Sequence, residues 1–288
     1  MLTDAQIAFY REQGYLLVEE VFSAEELAEL NRVTDGFIHR ARGVTESDAT
    51  FDLAPDHSAE YPKVRRVKNP TRQHPAYDQA MRNPRLLAIL QDLLGPAVRF
   101  DHAKLNIKPV GGGAAIEWHQ DWAFYPHSND DLLAVGVFLE EVKPESGPLM
   151  VIPGSHKGVV HDHHHEGVFV GAIDPAVLHA DRARAVALTG PAGAVTLHHV
   201  RTLHASSENW GDRARRLLLF SYAAADAWPL VPEEPLEAFD ARLIAGQPTL
   251  APRMEALPVR LPLPRRPAAD SIFEDQASVA GRSFAQAT

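Results

Sequence analysis

The chain has 288 residues, 45% of them hydrophobic, and no cysteine; that leaves room for a sizeable core and excludes disulfides, thiolate metal sites and a cysteine nucleophile. A net charge of −10 argues against general affinity for nucleic acid or an anionic membrane. No apolar run approaches the roughly 18–20 residues needed to span a bilayer, and Met1-Leu2-Thr3-Asp4 does not open a secretory leader, so a soluble, cytoplasmic protein is expected.

In chain order, Thr3 with Gln6 forms a capping box that opens a helix ending near Gly14. Tyr15 to Phe22 (YLLVEEVF) is β-rich. Ser23 with Glu26 forms a second capping box, and Leu27, Leu30, Val33 and Phe37 then recur at helical spacing. Residues 43–62 are polar and irregular and read as a surface loop. A further helix is expected over Pro84–Leu94, stopped by Gly95-Pro96.

From about residue 98 short β-type runs follow one another: VRFDHAKLNIK, AIEWHQDWAFY, LLAVGVFLEEV, PLMVI, GAVTLHHV and RRLLLFSYAA. Turn residues separate them, including Gly111-Gly112-Gly113, Ser146-Gly147-Pro148 and Pro153-Gly154-Ser155. This rhythm predicts a β-sandwich or barrel, with the earlier helices on one outer face. Nine of the 22 prolines fall between Pro229 and Pro267, so the tail is expected to be extended and draped over the body. One domain is expected over 1–288: a mainly helical part (1–97), a β core (98–228) and a Pro-rich tail (229–288).

Trp118-His119-Gln120-Asp121 lies in a β-type segment, where alternation puts His119 and Asp121 on one face. Alone, His-x-Asp is a weak signal. A second histidine from another strand would complete a facial triad of two His and one carboxylate, which leaves open positions on a non-haem iron. His198, His199 and His204 are the candidates. Arg215 opens an apolar strand and shares a face with Leu217, Leu219 and Ser221.

These motifs resemble the phytanoyl-CoA dioxygenase family of iron(II)- and 2-oxoglutarate-dependent oxygenases, which carries a His-x-Asp, a distal His in a His-x-Ser context, and an Arg eleven residues after that His. His204, Ser206 and Arg215 match that pattern, whereas Asn209 and Trp210 stand eleven places after His198 and His199. Asn106-x-Lys108-Pro109, Glu145-Ser146-Gly147-Pro148-Leu149, Pro153-Gly154-Ser155-His156-Lys157 and the opening LTDAQIAFYREQGYLLVEEVFSAEEL extend the likeness to about residues 3–226.

The resemblance implies a double-stranded β-helix, a cupin-like jelly roll with N-terminal helices outside, mainly β with added α. It implies Fe(II) on His119, Asp121 and His204, with 2-oxoglutarate and O2 as cosubstrates. Arg215, helped by Ser206, would bind the distal carboxylate, because a planar guanidinium pairs with a carboxylate in two parallel hydrogen bonds. Lys108 would reach the cosubstrate's other end, near the metal, and Asn106 is placed with it. The implied reaction is hydroxylation of an unactivated C–H bond of a small organic molecule, with release of succinate and CO2.

Rival readings remain at this stage. A cupin-type isomerase, lyase or dioxygenase without 2-oxoglutarate would share the fold and ligands but not need Arg215. A non-catalytic jelly-roll binding protein would have no reason to keep a triad, and a halogenase would need a small residue in place of Asp121. The run His161 to Glu166 is expected to be a solvated loop, with adventitious metal binding or a place at the active-site mouth as alternatives. Lys63, Arg65, Arg66, Lys68 and Arg72 read as a solvated strand or as an anion-recognition strand for the substrate. Among Trp118, Trp122, Phe124 and Tyr125, most are expected in the core and one or two in the substrate pocket. A small-molecule partner is expected; substrate and oligomeric state are not legible.

Overall fold

The computed structural model describes residues 1–111, 115–231, 235–265, 271–278 and 283–284. Fourteen strands are formed by these residues: β1 Tyr15–Val18, β2 Phe51–Leu53, β3 Val64–Lys68, β4 Val98–Lys108, β5 Ile116–His119, β6 Leu132–Phe138, β7 Leu149–Val151, β8 His164–His165, β9 Val168–Phe169, β10 Val186–Leu188, β11 Val195–His199, β12 His204–Ser206, β13 Arg215–Ala224 and β14 Leu243–Ala245. The helices are α1 Asp4–Gln13, α2 Ala24–Arg40, α3 Pro70–Gln73, α4 Pro75–Met81, α5 Pro84–Leu94, α6 His179–Arg182, α7 Leu236–Asp240 and α8 Ile272–Asp275.

Two antiparallel sheets face one another as a jelly roll. The larger runs β1-β11-β6-β13-β4-β3-β2, with β14 also on β4, and the smaller runs β10-β7-β12-β5. Strand alternation divides the large sheet's faces. Along β4, Ala103, Leu105 and Ile107 point outward into a core shared with Leu30, Val33 and Phe37 of α2 and Leu86 and Leu90 of α5. The intervening Lys104, Asn106 and Lys108 point inward, between the sheets. Every residue of β6 is buried, because helices cover one of its faces and the second sheet the other.

Both capping boxes form as expected, Thr3 with Gln6 and Ser23 with Glu26. β4 and α5 keep the expected bounds. β1 stops four residues earlier than the β-rich run: its partner β11 begins at Val195, opposite Val18, so no ladder exists beyond. There the chain turns, with Glu20 at φ 58°, and buries Val21 and Phe22. The expected loop 43–62 contains β2, whose three buried residues pair with β3. Three residues are too few to show a period, and Phe51 is held by packing on Phe37 (ring centroids 6.2 Å).

The tail is draped as expected, tied by Trp122 Nε1 donating to the Pro258 carbonyl (3.0 Å) and Phe169 N–H to that of Pro264 (3.0 Å). It also forms α7, β14 and α8, which the proline-rich composition did not predict. Gly112 and Gly113 of the expected glycine turn lie outside the described residues.

Candidate metal centre and adjoining cavities

β5 and β12 are direct neighbours in the smaller sheet, with His119 opposite His204. The strand does not run on to Asp121 as the alternation argument assumed. It ends at His119, and Asp121 begins a single 3-10 turn through Ala123. The turn still brings the carboxylate to both imidazoles: Asp121 Oδ1 lies 3.9 Å from His119 Nε2 and 3.8 Å from His204 Nε2. All three side chains are buried and form the group of ligand-type residues that could hold a metal ion among the described residues.

The donor set fits a divalent metal. His119 Nδ1 donates to the Glu117 carbonyl (2.7 Å) and His204 Nδ1 to that of Thr202 (2.9 Å), which fixes both tautomers and leaves each Nε2 lone pair facing Asp121. Burial lowers the His119 imidazole to about 4, and burial with His119 and His198 nearby lowers His204 well below its ordinary value. Burial alone would raise the Asp121 carboxyl, but His204, His198 and Lys104 outweigh it and hold it well below the usual range. Neutral imidazoles and an ionised carboxylate are the forms that bind metal.

The two other candidate histidines separate cleanly. His199 faces away, 3.9 Å from Asp130 and with its ring tilted against that of His156 (centroids 5.2 Å). His198 faces inward, buried, with Nε2 3.5 Å from Asp121 Oδ2. It backs the carboxylate without joining the triad's three-residue cluster.

Beside the triad lies a mainly apolar cavity lined by Ile116, Leu149, Leu217 and Leu219, with Ser206 and Arg215 also in its lining. Arg215 is buried. Its Nη2 donates to the Gly147 carbonyl (3.0 Å), while Nε and Nη1 have no hydrogen-bond partner. Gly147 explains its motif: at φ 68°, a Cβ there would lie 2.6 Å from the Ser207 carbonyl oxygen, so only glycine lets this turn pass and present its carbonyl to Arg215. Lys108 stands directly across from Arg215 in the β4–β13 ladder. Its Nζ donates to Ser206 Oγ (2.8 Å) and to the Ser207 carbonyl. Burial, with Arg215 adding to it, pushes the ammonium well below its ordinary value. The sequence expectation that Lys108 reaches toward the metal therefore does not match this placement: its ladder position sets it at the Arg215 end. Asn106, also in the lining, accepts from Arg66 Nε (2.9 Å).

Adjoining it is a second cavity of about 390 Å³, which shares Arg66, Lys104, Asp121 and Ile272 with the first. Arg66 and Lys68 of the basic stretch line it, half-buried, while Arg65 pairs with Asp52. Phe124 and Tyr125 line it too, and Phe124 stands edge-on to His119 (5.7 Å). Trp118 and Trp122 are core residues. The His-rich run is not simply solvated: His163 is buried, its Nε2 accepts from Gln120 N–H (2.8 Å), and its Nδ1 donates to the His161 carbonyl (2.8 Å), bracing the backbone between the two ligand candidates. Sequence reasoning missed Lys104 and α8. The signal for Lys104 was available, since it shares the alternate face of β4 with Asn106 and Lys108. α8 carried none: Ile272 reaches both cavities only through tertiary packing, with Gln276 beyond it hydrogen-bonded to Glu117 N–H (2.9 Å) and the Gly171 carbonyl (2.8 Å).

Residues 10–217 match the family model described as phytanoyl-CoA dioxygenase. The chain is 39% identical over 282 residues to a probable alpha-ketoglutarate-dependent hypophosphite dioxygenase of Stutzerimonas stutzeri, covering 96% of this chain and 97% of that one. It is 34% identical over 175 residues to an L-proline trans-4-hydroxylase of Streptomyces griseoviridis (54% and 65% covered). Among solved structures, EctD from S. alaskensis with bound Fe superposes with a TM-score of 0.68 at 28% identity, over 88% of this chain and 87% of that one. The same enzyme with 2-oxoglutarate and 5-hydroxyectoine gives 0.65 at 27%, with the same coverage.

Proposed function

The chain belongs to the phytanoyl-CoA dioxygenase family and is an iron- and 2-oxoglutarate-dependent dioxygenase; from that premise we propose that His119, Asp121 and His204 hold the iron(II) and that Arg215, Ser206 and Lys108 hold the cosubstrate. One observation carries the second half. Arg215 lines the apolar cavity beside the triad with guanidinium donors unused, and a second buried cation, Lys108, stands opposite it in the β4–β13 ladder. Burying a charge unpaired costs several kcal/mol, and the distal carboxylate of a dicarboxylic 2-oxo acid offsets it.

When bound, iron and 2-oxoglutarate supply the oxidising power: with O2, a substrate R–H becomes R–OH and the cosubstrate leaves as succinate and CO2. The protein's own residues do the rest. His119 and His204 present Nε2 from adjacent strands, and the carbonyls behind Nδ1 keep the rings from turning. Ile116, Leu149, Leu217 and Leu219 exclude water from the cosubstrate's chain and strengthen the ion pair at its end. The oxidised compound is a small molecule, as hypophosphite, proline and ectoine are for the relatives. An isomerase or lyase without 2-oxoglutarate would leave Arg215 and Lys108 without a task.

The test is anaerobic addition of 2-oxoglutarate to the iron(II)-loaded protein. A weak visible charge-transfer band and one-to-one binding are expected, followed by succinate release when air is admitted. Tight iron binding with no band and no succinate would move the reading to the cupin-type alternative.

A further inference from the structure

Ile272 is the apolar member of the four residues that line both cavities; the others are Arg66, Lys104 and Asp121. It is buried on α8, and Ser271 and Asp275 of the same segment line the second cavity with it. The triad and Arg215 fall within residues 10–217, and α8 lies beyond them. A segment from the far end of the chain therefore supplies an apolar wall beside Asp121.

Several attachments hold this wall in place. β5 is the edge strand of the smaller sheet, and its Glu117 N–H donates to Gln276 Oε1 (2.9 Å) instead of to another strand. Gln276 Nε2 donates to the Gly171 carbonyl (2.8 Å). On the larger sheet, the Phe273 ring lies under the guanidinium groups of Arg65 (4.9 Å) and Arg66 (5.3 Å) of β3. α8 thus reaches from β5 of one sheet to β3 of the other and covers the edge of β5. Further along, Ser283 N–H donates to the Glu117 carboxylate (2.9 Å). The Glu117 carbonyl is the group to which His119 Nδ1 donates. The residue behind one candidate iron ligand is therefore held by the tail at its N–H and at its side chain.

The two hydrogen bonds of Gln276 fix the height of α8, and with it the distance of Ile272 from the triad. A β-branched side chain is stiff at χ1, so Ile272 presents a defined shape and does not flow around whatever enters. In an apolar pocket one methylene more or less changes discrimination by roughly 10–200-fold. A single isoleucine beside Asp121 has that much leverage.

We propose that Ile272 is a specificity-determining residue for the oxidation and that Gln276 is the positioning residue that sets it: α8 decides how bulky a molecule can come up to the triad. The inference rests on the dioxygenase reading above and deepens it.

The experiment uses the full chain loaded with iron(II) and 2-oxoglutarate under nitrogen. Two neutral iron ligands of different girth, imidazole and benzimidazole, are titrated as free bases while the visible band is followed. The ratio of their dissociation constants is the readout, because it cancels any general change in the site. Wild type is expected to favour imidazole. Ile272→Ala should shift the ratio toward benzimidazole by about tenfold or more, and Ile272→Phe should shift it the other way. Gln276→Leu, with Ile272 intact, should move the ratio in the same direction as Ile272→Ala. Gln276→Glu keeps an oxygen for the Glu117 N–H and should recover part of the wild-type ratio. The band given by 2-oxoglutarate shows that each variant is folded; if Ile272→Ala loses it, Ile272→Val carries the same test with a smaller shift in the same direction. A ratio unchanged in the folded Ile272 variants, or no response to either ligand from any of the proteins, overturns the proposal. A ratio that moves with Ile272 but not with Gln276→Leu removes the positioning role of Gln276. Failure of wild type to give the band would sink the dioxygenase reading itself.

Discussion

The two ends of the barrel interior are built on the same strand by opposite rules. At one end, Arg215 is buried beside Leu149, Leu217 and Leu219, Lys108 opposite it is bonded to Ser206 and the Ser207 carbonyl, and neither cation forms an ion pair among the described residues. At the other, Lys104, Arg66 and Lys68 stand beside Asp101, Asp121 and Asp275 in a polar, partly solvated cavity. On the reading proposed above, the Arg215 end takes one fixed dicarboxylate, which suits few, dry charges. On the same reading the oxidised molecule enters the other cavity, whose lining mixes cations with acids. Asp121 lines both cavities, whereas His119 and His204 line the first.

The largest effect should come at the triad. His204→Ala is expected to abolish the anaerobic band and all succinate release, whereas His199→Ala, which faces Asp130, should keep both. A folded His204→Ala protein with an unchanged band would remove His204 from the ligand set and break the division into two ends.

At the Arg215 end, Arg215→Leu should leave iron binding nearly intact and weaken 2-oxoglutarate by about 2–5 kcal/mol, the cost of leaving one partner of a buried charge pair alone. That is on the order of 30- to several-thousand-fold in Kd. Arg215→Lys should restore only part, because an ammonium lacks the two-pronged geometry. The anaerobic dissociation constant of 2-oxoglutarate decides it, and an unchanged value would mean that the dry end is not a carboxylate site.

His198→Leu sharpens the role of the residue behind Asp121. Removing a group that braces a metal ligand costs roughly 10–100-fold in metal affinity, so iron(II) should bind that much more weakly while the 2-oxoglutarate contacts remain. Equal iron affinity in a competition titration would leave His198 a packing residue only.

Lys108 supplies a pH signature. Its ammonium is held well below its ordinary range by burial and Arg215, and a bound carboxylate favours the charged form. The affinity for 2-oxoglutarate should thus rise as pH falls, by at most about tenfold per unit for one proton. In Lys108→Met that slope should flatten. A wild-type affinity independent of pH would place Lys108 outside the carboxylate site.

The smallest effect lies outside the barrel. Ser23→Ala removes the hydroxyl that caps α2 and should cost about 1 kcal/mol of stability, read as a lower denaturation midpoint. No change in the 2-oxoglutarate Kd is expected, since α2 packs on the outer face only. A shift in that Kd would show the two faces of the large sheet to be coupled.

How far the sequence could be read follows from how local each signal is. Capping boxes, the period of α5 and the alternation of β4 are set by neighbouring residues, so they are visible in one dimension. The resemblance pointed to His119, Asp121, His204 and Arg215, and the fold places the first three together with Arg215 in the lining of the adjoining cavity, because two strands and a turn set the distance from His204 to Arg215. By contrast, the exit of Asp121 from its strand, the inward turn of His198 against the outward turn of His199, and the seating of Lys108 across from Arg215 are matters of register between strands far apart in the chain. The cavity that would choose the substrate is assembled from β3, β4, the 3-10 turn after β5, and α8 near the end of the chain. No period or motif joins these segments; only the packing of the two sheets and the tail brings their charges to one place.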